Sequence, residues 1–419
     1  MKFSNDSEQM MVAMMDHFEK FVKKKNAPQQ RDFDRIMKNF YSELKAADKF
    51  TDKEWKSNKI KISLKEVRDF RSINHTTLLS STYIPDNIKT YIKHNIKGAL
   101  SYKCKVAGRS ININFYLMNE SEFNQLVKFD KLVYKMIMWL KFVSNYARAK
   151  CSKTLKIYCY MTPIKKVIPG SPFSVLSSTH ANTAVTTTCT ANGEICLFRK
   201  EEIFKVFIHE TFHSLGLDFS SMSNTVLNNK IKTIFPINSN FNLYEAYTEF
   251  WASIMNCVFT SYFMSKGSGI KEFYLYAEYC VGFEQFFCLF QCVKVLDFMG
   301  LHYKNLHDKN NLSDRARKYL YKEKTNIFAY YVIKAILMFN ALPFMKWCKT
   351  NNDNILAFYR SKDNLMRFYR FIVGHYKSPA FIKELDVAQS ILKKYKSLVA
   401  EKDDRTLART MRMTIIELM

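Results

Sequence analysis

The stretch that most constrains the fold runs from Arg199 to Ser220 and contains His209, Glu210 and His213. Residues four apart lie on one face of an α-helix, because a turn takes about 3.6 residues. Two histidines at this spacing can bind one metal ion. If the ion is zinc, Glu210 lies where its carboxylate can reach a zinc-bound water. The stretch therefore predicts a helix that carries a metal site.

Apolar side chains surround this predicted helix on nearly every side, which is typical of a buried helix. They are Ile203, Phe204, Val206, Phe207, Ile208, Phe212 and Leu215. We expect Glu201 and Glu202 in its first turn, where the helix dipole favours acidic groups, and Gly216 in a left-handed conformation at its end. Two histidines and a glutamate are costly to bury without partners, and a metal ion supplies those partners.

A catalytic zinc site needs a third protein ligand, and the segment Asn242 to Asn256 offers one. Its apolar residues recur at helical spacing, so Glu245 and Glu249 lie on one face, a turn apart. One carboxylate can bind the metal while the other accepts a hydrogen bond from a ligand histidine. The alternative is that both are solvated residues on an amphipathic helix.

The two helices together resemble the thermolysin-like gluzincins, zinc metallopeptidases with an H-E-x-x-H helix and an E-A-x-x-D helix. The resemblance implies that His209, His213 and Glu245 bind Zn²⁺ and that Glu210 is the catalytic general base. Glu249 stands where the family has an aspartate that orients a ligand histidine. The segment between the helices is longer than in thermolysin.

A different third ligand is suggested by the residues that follow His213. His213 to Gly216 resembles the metzincin pattern H-E-x-x-H-x-x-G-x-x-H, but Phe219 occupies the position of the last histidine. Asp218, one residue earlier, would be the ligand on this interpretation, although we expect it to point away. Asp218 can equally cap the next turn.

Upstream of the histidines the pattern alternates as in β-strands. A strand at Ser110 to Leu117, a helix at Phe123 to Ala149 and a strand at Thr154 to Met161 predict a parallel strand pair with a helical crossover. Two further strands, Asn182 to Cys189 and Glu194 to Phe198, flank Asn192-Gly193, which predicts a hairpin turn.

This order of elements resembles the zincin catalytic half-domain, in which a small twisted mixed sheet has a backing helix and an active-site helix. We therefore expect an α+β fold with helical regions on either side: residues 1–95, a metallopeptidase domain at 96–266, and a helical domain at 270–419. The resemblance implies that Asn182, Thr183 and Ala184 lie on an edge strand and bind a polypeptide substrate. An ordinary strand is the alternative.

The C-terminal helical domain of gluzincins often supplies a side chain that stabilises the oxyanion. The resemblance leaves several candidates open: His302, His307, His375, Tyr330 and Tyr331, with His180 as a further one.

The charge and composition of the chain limit the classes of partner that it can bind. The chain has 64 Lys and Arg against 38 Asp and Glu, a formal net charge of +26, so its surface should attract anionic partners such as nucleic acid or acidic proteins. Apart from Lys23, Lys24 and Lys25 the lysines are scattered, which is also typical of a solvated basic surface. The apolar and aromatic content excludes a disordered chain.

The ten cysteines lie mostly in apolar patterns, which predicts reduced thiols and a cytoplasmic location. No secretion signal is visible, and charged residues interrupt the most apolar run, Phe273 to Met299, so we expect no membrane span. The composition and the run around His209 are similar to metallopeptidase-like proteins of large nucleocytoplasmic DNA viruses, which would imply a virion-associated enzyme. The competing hypothesis is an inactive zincin-fold protein that binds nucleic acid or has a structural role.

Overall fold

The structure is a computed structural model that describes residues 2–21, 26–67, 69–399 and 406–418. The predicted lysine cluster, Lys23 to Lys25, lies outside the described residues. The expected α+β class is confirmed, since a six-stranded mixed sheet is combined with many helices.

The sheet has the strand order β1-β2-β3-β4-β6-β5. Its strands are β1 (Lys61–Glu66), β2 (Gly98–Val106), β3 (Arg109–Leu117), β4 (Thr154–Tyr160), β5 (Ala184–Thr186) and β6 (Asn192–Leu197). The strands β3, β4 and β6 run parallel, as predicted for β3 and β4, whereas β1, β2 and β5 are antiparallel to their neighbours. The short strand β5 therefore forms one edge of the sheet.

Helices cover both faces of the sheet and build the rest of the molecule. They are α1 (Asn5–Phe21), α2 (Ala27–Lys56), α3 (Asp86–Asn95), α4 (Leu126–Val143), α5 (Ser178–Ala181), α6 (Ile203–Ser214), α7 (Thr225–Ile234), α8 (Leu243–Met264), α9 (Ile270–Phe298), α10 (Asn311–Leu320), α11 (Lys334–Phe339), α12 (Ala341–Asn351), α13 (Lys362–His375), α14 (Pro379–Val399) and α15 (Thr406–Arg409). A π-helical segment, Phe328–Ile333, leads into α11.

Alternation along the strands gives the sheet two apolar faces. In β4, Ile157 belongs to the main core beneath the helices, whereas Tyr158 packs with α3 on the opposite face. The main core contains residues from all three predicted regions, for example Phe33, Trp251 and Phe344. The division of the chain into three regions, with boundaries at residue 95 and at residues 266–270, therefore remains a prediction.

Residues 410–418, which we call the C-terminal segment, lie extended in this core, where we had predicted a helical region. An extended buried backbone needs partners for each N–H and C=O. Glu202 accepts hydrogen bonds from the amides of residues 413 and 414, at 2.7 and 2.6 Å, and Glu284 accepts from those of residues 415 and 416. Lys334 donates to the carbonyl of residue 413. Buried charged side chains thus replace a neighbouring strand.

Three local predictions differ from the structure. The predicted turn residues Asn192 and Gly193 lie inside β6, where a Cβ on residue 193 would come 2.3 Å from Oγ of Ser152, so the glycine permits a close approach. The helix predicted from Phe123 to Ala149 is shorter at both ends, because a 3-10 turn at Glu120–Gln125 precedes α4 and the helix ends at Val143. The strand β1, exposed along its length, was not predicted.

The helix α9 is long and apolar enough to cross a membrane by composition alone, but 89% of its apolar window is buried within the protein. The segments Phe328–Phe339 and Ala341–Asn351 pass the same test only as a pair, and they are bent by 91°. The packing of the core accounts for the apolar character of α9.

Two of the ten cysteines are paired, whereas reduced thiols were expected throughout. Cys151 and Cys189 form a disulfide, and the other eight cysteines are free and buried. The amide of Cys189 donates to the carbonyl of His213, so this disulfide lies directly beside the end of α6.

Candidate metal centre

The predicted histidine helix is present as α6, and all of its twelve residues are buried. It packs between the sheet and α8. The helix begins at Ile203, so the expectation that Glu201 and Glu202 form its first turn is wrong. Glu202 precedes the helix in a left-handed conformation (φ 58°) and forms a buried ion pair with Lys166. Gly216 ends the helix with φ 71°, as predicted.

Three potential ligand atoms converge at the centre of the molecule. Nε2 of His209 lies 3.1 Å from Nε2 of His213, and Oε2 of Glu245 lies 3.1 and 3.5 Å from these two nitrogens. Ligands placed 2.0–2.2 Å from a tetrahedral zinc ion are separated by about 3.3–3.6 Å. The three atoms are therefore spaced nearly as they would be around one such ion.

The opposite nitrogen of each ring faces a carboxylate. Nδ1 of His209 lies 2.8 Å from Oε1 of Glu249, and Nδ1 of His213 contacts Oδ2 of Asp218. A carboxylate accepts hydrogen bonds, so in the neutral form of each ring the proton would lie on Nδ1 and Nε2 would present a lone pair. Two lone pairs and the carboxylate of Glu245 then point at one place, which favours a cation there.

Burial and the contacts between these histidines and carboxylates shift the pKa values of the groups in the centre. Burial alone would lower the pKa of His213, but Asp218 and Glu245 outweigh it and raise this pKa well above 6.5. The pKa of His209 is raised for the same reason by Glu245 and Glu249. Burial opposes ionisation of Glu245, yet the two histidines lower its pKa to about 2. The ligand atoms thus carry negative charge that a cation or proton must balance.

Glu249 also binds two cations on its far side. Both of its oxygens contact the ammonium of Lys205, from α6, and Oε2 lies 3.0 Å from Nζ of Lys334, from α11. Burial would raise the pKa of Glu249, but Lys205 and Lys334 lower it well below its usual value. Neither lysine was recognised from the sequence, because each looks like an ordinary residue of an apolar helix.

Glu210 differs from the other carboxylates of the centre. It is 7% exposed, and within the described part of the chain it forms no ion pair. Burial raises its pKa, against the opposing influence of His209 and His213. A carboxylate with a raised pKa at the edge of a metal site is suited to taking up and releasing a proton.

Asp218 contacts the centre through His213 and, as expected, does not reach the point shared by the three ligand atoms. Gly216 reverses the chain after α6, and Asp218 returns to the side of His213 remote from Nε2. Its other oxygen accepts hydrogen bonds from the amide, at 2.9 Å, and the hydroxyl of Ser220. In this position Asp218 orients His213, and the metal-facing position that the alternative gave it is taken by Glu245.

The three residues predicted to bind substrate are only partly in the edge strand. Asn182 and Thr183 precede β5, and Ala184 is its first residue. The side chain of Asn182 accepts a hydrogen bond from Thr325 at 2.9 Å and donates to the carbonyl of Tyr83. Asn182 thereby joins neighbouring segments, whereas Ala184 keeps the predicted place on the edge.

One of the candidate oxyanion residues lies at the centre. The ring of Tyr330, in the π-helical segment, lies 6.3 Å from that of His209. Burial and the carboxylates of Glu245, Glu249 and Glu210 raise its pKa. Tyr331 instead donates to the carbonyl of residue 411 in the core. The remaining candidates are engaged elsewhere: His180 with Ser177, His302 in a turn, His307 beside Tyr376, and His375 on Phe371.

No family model matches this chain, and no curated protein or solved structure is significantly similar to it.

Proposed function

We propose that the protein is a zinc-dependent peptide-bond hydrolase of gluzincin type, with His209, His213 and Glu245 as ligands and Glu210 as general base. The observation that carries the proposal is the convergence of two Nε2 lone pairs and one carboxylate oxygen within 3.5 Å, with both Nδ1 atoms already facing carboxylates. Zinc bound there would supply Lewis acidity and lower the pKa of a bound water.

The number of ligands favours catalysis over a structural role. Among the described residues, one group of potential metal ligands is found, and it has three members. A structural zinc site is closed by four protein ligands, whereas a catalytic site leaves one position open. A carboxylate without an ion partner, Glu210, lies beside this group, and a structural site has no use for a general base.

The protein residues have separate tasks in the proposed reaction. Glu210 takes a proton from the attacking water and delivers it to the leaving amine. The phenol of Tyr330 donates a hydrogen bond to the oxyanion that develops on the peptide carbonyl. Glu249 and Asp218 keep the two imidazoles in the tautomer that leaves Nε2 unprotonated.

The edge strand β5 provides a place for an extended peptide. The carbonyl of Thr183 and the amide of Thr187 bond to β6, so by alternation the backbone groups of Ala184 and Thr186 face away from it. In the described residues no further strand pairs with this edge. A substrate can add there as a strand beside α6.

The decisive experiment combines metal analysis with hydrolysis of a fluorogenic peptide library. Glu210→Gln should keep about one zinc per chain and lose hydrolysis, and His213→Ala should lose the zinc. Glu66→Gln, on exposed β1 at the other edge of the sheet, is the matched control and should keep both. Full hydrolysis by zinc-loaded Glu210→Gln would exclude Glu210 as the base.

Tyr330→Phe tests the oxyanion assignment separately. Loss of one oxyanion donor lowers kcat about 10²–10³-fold, and KM and zinc content should change little. An unchanged kcat would remove Tyr330 from the mechanism.

The net charge of +26 supports a second candidate, a nucleic-acid-binding protein with an inactive centre. Salt-sensitive retention on DNA, together with zinc-loaded wild-type protein that cleaves no peptide of the library, would favour it.

A further inference from the structure

A cavity lies beside the first turn of α6, and its lining does not include β5, the sheet edge that we assign to substrate. It encloses about 640 Å³ between α4, the first turn of α6, α8 and residues 416–418. Ligand cavities in proteins typically measure about 300–1,000 Å³. Neither the metal centre nor β5 contributes to its wall, so the cavity needs its own explanation.

The inner wall of this cavity is apolar and aromatic. Phe129 and Leu132 come from α4, Phe204 from α6, and Phe259 and Phe263 from α8. The rings of Phe204 and Phe259 lie 5.4 Å apart. Such a surface gains free energy by enclosing a hydrocarbon group rather than water.

Lysines surround this apolar interior. Lys128, Lys131 and Lys200 line the cavity, and in the described part of the chain none of them forms an ion pair. Lys128 lies close enough to Lys200 for the like charge to lower the pKa of Lys128, after the larger effect of burial. Lys135 is only 6% exposed, and its ammonium donates to the carbonyl of Leu418 at 2.7 Å. Six lysines therefore line one cavity, and four of them, Lys128, Lys131, Lys135 and Lys200, form no ion pair within the described residues.

The acidic residues at the cavity already have partners. Asp6 pairs with Lys165 at 2.6 Å, Glu202 pairs with Lys166, and Glu417 pairs with Arg412 at 3.0 Å. Glu201 accepts a hydrogen bond from the amide of Lys166. Lys165 and Lys205, which also line the cavity, are paired with Asp6 and Glu249. Lys128, Lys131, Lys135 and Lys200 form no ion pair within the described residues, and an anionic ligand would supply their counterion.

We infer that this cavity binds a single-chain anionic amphiphile of the fatty-acid class. The hydrocarbon chain lies among Phe129, Phe204 and Phe259, and the carboxylate lies against Lys131 and Lys135. A nucleic acid fits poorly, because its charged backbone would have to enter an aromatic interior. The inference rests on this cavity alone and is independent of the metal centre.

Displacement of the fluorescent fatty acid cis-parinaric acid from the full-length protein tests the inference. Saturated acids from ten to sixteen carbons should compete at one site, with affinity rising up to about fourfold per added methylene until the cavity is full. The methyl ester of each acid should bind at least about tenfold more weakly, because it carries no charge. Equal affinity of acid and ester, or the absence of saturable binding, would overturn the proposal.

Variants locate the site. Lys131→Glu with Lys200→Glu reverses two exposed charges at the cavity and should weaken binding of the acid about tenfold. Lys103→Glu with Lys105→Glu makes the same change in net charge on exposed positions of β2 and should leave affinity within about twofold. Leu132→Trp, which fills the cavity, should block binding of acid and probe alike. If both double variants weaken binding equally, the acid binds the general basic surface and the proposal fails.

Discussion

Each histidine of the centre contacts a carboxylate, and the two carboxylates are themselves held in place by different kinds of contact. Glu249 reaches His209 from another helix and is itself held by Lys205 and Lys334, both buried. Asp218 reaches His213 from five residues along the chain, and its carboxylate accepts from the amide and hydroxyl of Ser220, while Arg360 donates to its backbone carbonyl at 2.9 Å. The carboxylate of Glu249 is tied to the core through Lys334 and the C-terminal segment, whereas the side-chain contacts of the Asp218 carboxylate lie within its own turn. A carboxylate that orients a histidine can therefore be held either by distant parts of the fold or by contacts within one turn.

The largest effect should follow Glu249→Gln. The variant removes the carboxylate charge that contacts two buried ammonium groups, and breaking a buried pair by removing one partner costs about 3–5 kcal/mol. We expect a loss of this size in the free energy of unfolding, measured by urea denaturation of the zinc-free protein so that metal binding does not contribute.

A double variant checks this explanation. Among the described residues, the ammonium of Lys205 forms hydrogen bonds and an ion pair only with Glu249, so Lys205→Met added to Glu249→Gln should recover part of the lost stability. A single Glu249→Gln variant within about 1 kcal/mol of wild type would show that the ion pairs do not support the core.

A smaller effect is expected from Asp218→Asn, and it should appear in zinc affinity more than in folding. The asparagine oxygen can still accept from Ser220, but the negative charge beside Nδ1 of His213 is lost. Loss of such a partner lowers metal affinity about 10–100-fold, which a competitive titration with a chelating dye measures. Ser220→Ala, which keeps the charge, is the control and should change affinity less. Unchanged affinity in Asp218→Asn would mean that His213 needs no orienting carboxylate.

The smallest expected effect is a pH dependence of the stability that the His213–Asp218 pair contributes to the zinc-free protein. The folded pKa of His213 is raised, so the His213–Asp218 pair contributes stability that is fully present below pH 6.5 and is lost as the pH rises through the folded pKa. The stability difference between wild type and Asp218→Asn should therefore shrink as the pH rises above 6.5, in denaturation curves recorded from pH 5.5 to 9. A difference that grows with pH would contradict this assignment.

Periodicity predicted the parts of the site that depend on helical spacing. His209 and His213 share a face of α6, and Glu245 and Glu249 share a face of α8, because four residues make about one turn in any helix. The meeting of these two faces required the resemblance to gluzincins, since spacing within a helix does not tell which other helix it contacts.

The other features of the site and the fold depend on contacts that leave no pattern in the nearby sequence. The approach of Asp218 depends on the reversal at Gly216, and the roles of Lys205 and Lys334 depend on packing between distant helices. In the strand β1 only Ile62 and Leu64 alternate as an apolar face, and both are exposed, so the pattern is too short to have predicted a strand. The C-terminal segment is extended because buried side chains satisfy its backbone, and that arrangement is invisible in its own sequence.

The position of the C-terminal segment also bears on how the molecule is made. Glu202 and Glu284 receive their hydrogen-bond donors from residues 413–416, which leave the ribosome roughly 200 residues after Glu202. At about 5–20 residues per second, the nascent chain waits roughly 10–40 s before its core can close. During this interval the helices around α6 are already synthesised, but Glu202 and Glu284 still lack their hydrogen-bond donors. Chaperones would therefore bind the chain in this incomplete state.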